Sequence, residues 1–493
     1  MITSHLPILQ VVVPLMAAPL MVVLRSGAAA WTLAVAASWT ALAIAAGLFL
    51  EVAGGNVVSY WIGSWPPPWG IEYRIDIVNA FLALLVSFIA AVVIVYCRES
   101  VRAEVPRERH YLFYAMYALC LSGLLGIAVT GDAFNLFVFL EISSLSSYVL
   151  IALGRDRRAL MAAYQYLILG TIGATFYVIG VGLLYLLTGT LNLADMAARL
   201  PAVSDHRSVL AALAFITVGI SLKLALFPLH LWLPNAYAYA PSAVTAFLAA
   251  TATKVSVYVL LRFYFTVFSG SGIFDDRPLA PIWITLSLAA MFIASAIAIF
   301  QNNVKRLFAY SSVAQIGYIT LGVSFGSVYG LTAGIVHLFN HAVTKGALFM
   351  LLGGIALRLG TVRFDAIGGI GRAMPFTSFG IVLAGLSLIG VPATVGFVSK
   401  WYLVLAALER GDAWLAFAVV GSSLLAVVYV WRFVEVAYFR EPTTEVARLR
   451  EAPLSMLVPA WLMVLACFYF GLDTGVTLGG AGAAAESLLR GPR

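Results

Sequence analysis

Of the five lysines in this chain, four (Lys223, Lys254, Lys345 and Lys400) stand inside long apolar runs, whereas among the far more numerous arginines only Arg432 lies well inside one. Arginine keeps its charge at any accessible pH, but a desolvated lysine can release its proton. An interior given the titratable cation and denied the permanent one is suited to changing its charge. In FNLFVFLEISSLSSYVLIALG, residues 134 to 154, Glu141 is the one acid well within its stretch of the chain, and Ser144 and Tyr148 share its helical face at i+3 and i+7. A lone glutamate at membrane depth would stay protonated, so Glu141 calls for a cationic partner, and Lys223 is the candidate. Approach of the ammonium favours the carboxylate, and its withdrawal favours the protonated acid, so the pair can serve as a switch. The bland alternative is a static buried salt bridge.

A second constellation is HLFNHAVTKGALFMLLGG, residues 337 to 354, where His337, His341 and Lys345 recur at i, i+4 and i+8. Such a column lies on one face with steps of about 6 Å and reads as a proton wire, histidine being the side chain that titrates near neutrality. Zinc would take the same two imidazoles, but no third ligand is evident and Lys345 would repel the metal, so no metal is expected. Thr251 and Tyr258, a turn on either side of Lys254, extend a polar stripe on that helix. Arg432 and Glu435, at i and i+3, are expected to neutralise each other and serve packing or a subunit contact. Isolated charges at the bilayer centre cost about 2.5 to 3.5 kcal/mol each, so four lysines and a glutamate exceed roughly 10 kcal/mol unless paired or functional. Structural ion pairs and snorkelling are the competing readings.

In ISLKLALFPLHLWLP, residues 220 to 234, Pro228 follows Lys223 by five positions. Proline cannot donate to the carbonyl of Leu224 and its ring clashes there, so the helix is expected to bend or break, leaving a free acceptor beside the lysine.

The elements that must position these groups are membrane helices. The chain of 493 residues is 62% hydrophobic and 10% charged, with a mean hydropathy of +0.99, which excludes a soluble domain with a polar surface. Apolar runs of about 20 residues recur along it without barrel-like alternation. They read as fourteen spans, among them 133–153, 208–229, 242–266, 330–356 and 376–407. The fold class expected is therefore an all-α polytopic membrane protein. The N-terminus lacks a basic region and cleavage site, so the first span is expected to be retained. Residues 54–76, with Pro66, Pro67 and Pro68, read as an extended or hairpin-like outer loop, and residues 97–110 as a solvated basic loop. Loops after odd-numbered spans hold sixteen lysines and arginines, Lys305 among them, against eight on the other side, Arg262, Arg277 and Arg493 among them, which puts both termini outside. The formal charge of +7 then reflects orientation and buried lysines, not nucleic-acid binding. Cys97, Cys120 and Cys467 show no pairing or ligand spacing, and there is no phosphate loop, nucleophile elbow or haem motif, so no cofactor or redox centre is expected.

Spans four to eight and nine to thirteen would form two five-helix units inverted in the membrane, an odd helix count forcing the inversion. The expected segments are an N-terminal three-helix part (1–110), a first repeat (111–266), a second repeat (281–438) and a C-terminal helix and tail (439–493). Lys223 and Lys400 occupy spans seven and twelve, each of which contains a proline, Pro228 and Pro392, though at unequal offsets.

KLALFPLHLWLPNAYAYAPSAVTAFLAATATK (223 to 254), QNNVKRLFAYSSVAQIGY (301 to 318), HLFNHAVTKGALFM (337 to 350) and GVPATVGFVSKWYL (390 to 403) together resemble the antiporter-like proton-conducting subunits shared by complex I and Mrp-type sodium/proton antiporters. The resemblance runs from about residue 60 to 440. It implies fourteen helices with two inverted repeats and interrupted helices seven and twelve. It also implies that Glu141, Lys223, Lys254, His337, His341, Lys345 and Lys400 carry protons. GDAFNLFVFLE and SWPPPWGIEYRID look most like the D-type member of Mrp antiporters. Lys400 departs from the M-type member of complex I, which has glutamate there, and the short C-terminus departs from the L type, but the N type shares the lysine. The implied role is a non-enzymatic, proton-translocating subunit of a bacterial inner-membrane Na+/H+ antiporter, partnered by other membrane subunits. The alternatives are a proton-pumping subunit of a complex I-like or hydrogenase assembly and a membrane subunit of an inorganic-carbon uptake system.

Overall fold

The structure, a computed structural model, describes residues 3–271 and 279–490. Arg277 and Arg493, two of the cations assigned above to the outer side, lie outside the described residues. Two helices, α1 (Leu6–Leu24) and α2 (Gly27–Val52), lead into the loop 54–76, which forms an antiparallel hairpin of β1 (Val58–Trp61) and β2 (Glu72–Ile75), as its β-branched and aromatic residues suggest. Asp76 then starts α3 (Ile77–Glu104) with a capping box to Asn79. There follow α4 (His110–Val129), α5 (Ala133–Ala152), α6 (Arg157–Thr188), a short α7 (Leu193–Arg199), α8 (Arg207–Leu224), α9 (Trp232–Tyr239) and α10 (Ser242–Arg262). Beyond the undescribed residues come α11 (Ala280–Ala289), a π turn, α12 (Ser295–Ile299), α13 (Val304–Ser324) and α14 (Val328–Leu359). The chain finishes with α15 (Ile370–Ala373), α16 (Pro375–Ile389), α17 (Val395–Glu409), α18 (Ala413–Val434), α19 (Thr444–Ala447), α20 (Leu454–Leu472) and α21 (Gly475–Arg490).

Among the described residues, twelve helical segments are long and apolar enough to cross a membrane. Two of the expected spans are not among them. Helix α13 has the length, but Lys305, Arg306, Ser311, Ser312 and Gln315 dilute its hydropathy. The span 376–407 is divided, because Gly390 adopts φ +91 and ends α16 before Thr394 leads into α17.

Helices α10 and α14 sit at the centre. Every residue of α14 from Gly330 to Ile355 is buried, and so is all of α10 except the half-buried Ala252. A helix that is apolar all round must be enclosed by others, and these two pack on each other. They carry Lys254 and the His337, His341 and Lys345 column, so these titratable groups are enclosed by the surrounding helices and have no lipid-facing side.

Three expectations are corrected. The basic segment 97–110 is no solvated loop: α3 runs through it to Glu104, with Cys97, Ser100 and Val101 buried. Glu104 accepts from the backbone N–H of Ser242 (2.7 Å), capping α10, and Ser242 Oγ accepts from Lys305 Nζ (2.8 Å), so Lys305 is buried and not a loop cation. Arg432 and Glu435 do not pair. The helix widens into a π turn from Glu435, Arg432 donates to the carbonyls of Ile299 and Gln301, and Glu435 binds Arg440 at 3.2 Å.

Helix α8, which carries Lys223, is pressed against α6 with glycine on both sides. A Cβ on Gly219 would stand 2.6 Å from the Gly173 carbonyl oxygen, and one on Gly173 would stand 2.9 Å from that of Gly219. Gly219→Val is expected to lower the stability of the detergent-solubilised protein by about 1–3 kcal/mol through overpacking. Gly182→Ala, where nothing lies within 4 Å, is expected to leave the thermal unfolding midpoint unchanged.

Candidate functional site

The break beside Lys223 is real, but it lies upstream of the proline that predicted it. Ala225 turns left-handed at φ 60, and the N–H groups of Ala225 and Leu226 fold back onto the carbonyls of Leu222 (3.3 Å) and Ser221 (3.0 Å). The Leu222 carbonyl also accepts the indole N–H of Trp232 at 2.9 Å. Pro228 therefore lies in the connector between α8 and α9, preceded by a cis peptide bond, and not within a bent helix. Carbonyls released by the break are taken up by the connector and by Trp232, whose ring stacks on Tyr166 of α6 with centroids 3.8 Å apart. Tyr148, on the helix of Glu141, meets Tyr166 edge-on at 4.6 Å. A row of aromatic rings thus ties the break to the glutamate's helix, a link the sequence did not disclose.

Lys223 is enclosed, its side chain 5% exposed, and its ammonium donates to Ser144 Oγ at 2.7 Å and to Glu141 Oε1 at 3.4 Å. The expected pair is present, with the carboxylate at the longer distance and Ser144 as the closer partner. A small cavity beside them is lined by Ser143, Ser147, Tyr166 and, from α10, Ser256.

Lys254 donates to the Ala249 carbonyl and to Thr253 Oγ1 (3.3 Å). The polar stripe expected around it is not a connected network. Thr251 bonds the Phe247 carbonyl, while Tyr258 donates to the Ala128 carbonyl and accepts from Arg262.

On α14 the three column residues keep their shared face but have different partners. His337 bridges neighbouring helices, with Nδ1 2.9 Å from Ser399 Oγ of α17 and Nε2 2.9 Å from Gln315 Oε1 of α13. Lys345 donates to the Phe308 carbonyl (2.8 Å) and to Ser311, both on α13. His341 is buried, with neither ring nitrogen hydrogen-bonded to a described protein group. It lies within electrostatic range of Lys254, Lys345 and His337, and His337 lies within range of Lys400.

Lys400 sits at the second break. Its ammonium donates to the carbonyls of Leu388 (3.1 Å) and Ile389 (2.8 Å), which the end of α16 leaves without helical partners, and to Ser423 Oγ of α18 (3.0 Å). It also lies 4.6 Å from the ring centre of Tyr318, whose hydroxyl bonds Ser422 at 2.7 Å. Lys223 precedes its break in sequence and Lys400 follows its own, so the two lysines are not equivalent positions of a repeat.

Lys254, Lys345 and His337 thus lie within electrostatic range of His341, and Lys254 and Lys400 within that of His337, while the ammonium of Lys345 is bonded to α13. The Glu141 and Lys223 pair reaches α10 through the cavity but makes no direct contact with Lys254. Sequence reasoning missed Gln315, Tyr318, Ser399 and Ser423. Gln315 and Tyr318 stood in one of the quoted segments, and a glutamine inside an apolar span was the available signal. Among the described residues, no group of three His, Cys, Asp or Glu side chains is placed to hold a metal ion.

A bundle of membrane-length helices with two broken helices and a buried row of titratable side chains defines an ion-handling membrane protein. Residues 130–426 match the family described as NADH:quinone oxidoreductase/Mrp antiporter, TM, and the chain belongs to that family. It is 45% identical over 486 residues to the N-type subunit of the NADH-quinone oxidoreductase of Desulforudis audaxviator, covering 95% of this chain and 96% of that protein. It is 29% identical over 488 residues to the D-type subunit of the Na(+)/H(+) antiporter of Bacillus subtilis, covering 99% and 97%. A chain in the structure of the Mrp complex from Dietzia sp. DQ12-45-1b superposes with a TM-score of 0.91 at 27% identity, covering 99% of this chain and 98% of that one.

Replacing an unpartnered buried ring by an apolar side chain removes a desolvation cost of about 1–3 kcal/mol. His341→Leu is accordingly expected to raise the thermal midpoint of the solubilised protein, while proton-coupled transport by its complex falls at least ten-fold. A lowered midpoint would show that the imidazole has a stabilising partner.

Proposed function

We propose that the chain is a proton-translocating subunit of a multisubunit monovalent cation/proton antiporter, with Na+ as the exchanged cation. The observation that carries this reading is the buried row itself: titratable side chains, enclosed by protein, running between two helix breaks. Glu141 controls the charge of Lys223, which exchanges protons with Lys254 through the cavity at α10. The proton then passes by His341 and His337 to Lys400, with Lys345 as a side station. The ammonium groups of Lys254, Lys345 and Lys400 rest on hydroxyls and carbonyls to which a neutral amine can also donate, whereas Lys223 also faces the Glu141 carboxylate, whose charge its proton balances. The chain itself is a transporter subunit and catalyses no covalent step.

The architecture we infer is fourteen spans. The twelve hydropathic segments are joined by α13 and by the divided pair α16 and α17, with 111–266 and 281–438 as inverted repeats between 1–110 and 439–493. Both termini and the β-hairpin face outward in a bacterial inner membrane. The burial of Lys305 and Arg262 takes one cation from each side of the loop count and leaves its asymmetry unchanged in sign. Other membrane subunits are the expected partners.

A second reading is favoured by one finding, the 45% identity to a protein named as the N-type subunit of an NADH-quinone oxidoreductase. In that setting the same row would carry protons driven by a redox partner. Purification of the native complex separates the two: small membrane subunits alone support antiport, and iron-sulfur or flavin subunits support the redox assembly.

Glu141→Gln and Lys223→Met are each expected to reduce proton transport by the intact complex at least ten-fold, measured as cation-dependent pH change in vesicles, while subunit composition on native gels stays unchanged. Normal transport by either assembled variant would sink the proposed pathway.

A further inference from the structure

One charged pair takes no part in the row just described. Arg262, at the end of α10, is buried, yet its place in the sequence reads as that of a loop cation. Its guanidinium donates to Asp76 Oδ1 (2.5 Å) and to Tyr258 Oη (2.9 Å), and the Tyr258 hydroxyl donates to the Ala128 carbonyl (2.9 Å). Asp76 Oδ1 also accepts from the N–H groups of Val78 (2.9 Å) and Asn79 (3.2 Å). Burying such a pair carries a desolvation penalty that favourable packing alone would not require.

The pair borders a cavity of about 250 Å³ enclosed by β2, the start of α3, the Thr130 turn, α7, the end of α10 and α21. Its charged lining is Glu72, Arg74, Asp76, Arg262, Glu486 and Arg490, and Thr130, Asn79 and Ser487 add polar groups. A volume of this size with this lining accommodates several waters. Glu486 and Arg490 are exposed at one side, and at the other Tyr258 stands one helical turn from Lys254. Lys254 itself points the opposite way along α10, toward the Ala249 carbonyl. In this arrangement Tyr258 lines the cavity with its hydroxyl engaged by Arg262 and the Ala128 carbonyl, and makes no hydrogen bond to Lys254.

We propose that this cavity is a hydrated proton port on the hairpin side of the chain, and that Arg262, Asp76 and Tyr258 form the gate between it and Lys254. The inference rests on the proton-carrying role assigned to Lys254 above. Release of Tyr258 from Arg262 lets its hydroxyl turn toward a swung Lys254, so that a proton leaves the ammonium for the tyrosine oxygen as the tyrosine proton passes to water in the port. The bonds exchanged balance and no other reactant is needed. The port is separate from the Lys400 end of the row, which lies at the other helix break.

The test uses single-cysteine variants at the cavity wall, Thr266→Cys and Ser487→Cys, in the intact complex, where the native Cys97, Cys120 and Cys467 are buried. A membrane-impermeant cationic methanethiosulfonate, added on the hairpin side of sealed vesicles, is expected to modify Thr266→Cys and reduce its proton transport at least five-fold. The same reagent on the opposite side is expected to do neither. Tyr258→Phe, which keeps the ring, is expected to slow transport at least ten-fold with assembly and thiol labelling unchanged. Absence of labelling at both cysteines overturns the hydrated port, labelling without loss of transport overturns its place on the path, and normal transport by Tyr258→Phe overturns the gate. Failure of the underlying functional reading is seen separately, as normal transport by Lys223→Met.

Discussion

A charged side chain at membrane depth needs partners, and an intact helix has few to lend, because its backbone groups are already spent on one another. The rest of this structure follows from that shortage. Lys400 finds its acceptors where α16 stops, in the carbonyls of Leu388 and Ile389. Lys254 and Lys345 use carbonyls and hydroxyls that accept a second bond. Lys223 uses Ser144 first and Glu141 second. For Lys254, Lys345 and Lys400 the acceptors are neutral groups to which an ammonium and an amine can both donate, and only Lys223 has a carboxylate beside it.

Enclosure supplies the other half of the design. Helices α10 and α14 are buried nearly throughout and pack on each other, so the groups they carry have no lipid face and no route by which a long side chain could snorkel out. The close approach of α6 and α8 through Gly173 and Gly219 holds Lys223 in the same enclosed layer. The aromatic row from Tyr148 through Tyr166 to Trp232 joins the broken segment to the helix of Glu141. A change at the ion pair therefore has a packed path to the break, and a change in the break has the same path back.

Arg262 shows the opposite use of charge. It stays ionised, is matched to Asp76 within a capping box, and fixes a tyrosine by its hydroxyl. The interior thus divides its cations by partner: lysines on neutral hydroxyls and carbonyls or beside the partly exposed Glu141, and an arginine matched to a buried aspartate.

The all-α membrane class, the hairpin after α2, a break near Lys223 and the placing of the four lysines in apolar runs were legible in the sequence, because each rests on local pattern: hydropathy, proline, and charge set against an apolar background. The second break was implied only by the family resemblance, and 376–407 by itself read as one span. The pairing of Glu141 with Lys223 was also legible, since an acid kept at membrane depth calls for a cation beside it. Legibility ended where a contact joins distant parts of the chain. Lys305 and Arg262 read as loop cations and are buried, Arg432 and Glu435 read as partners and are not, and Ser399 and Ser423 carried no local signal of their partners. Spacing along a helix determines which residues share a face, but only the packing of other helices decides what that face meets. The sequence alone therefore determined which groups could change charge, and the tertiary structure decided which of them are neighbours.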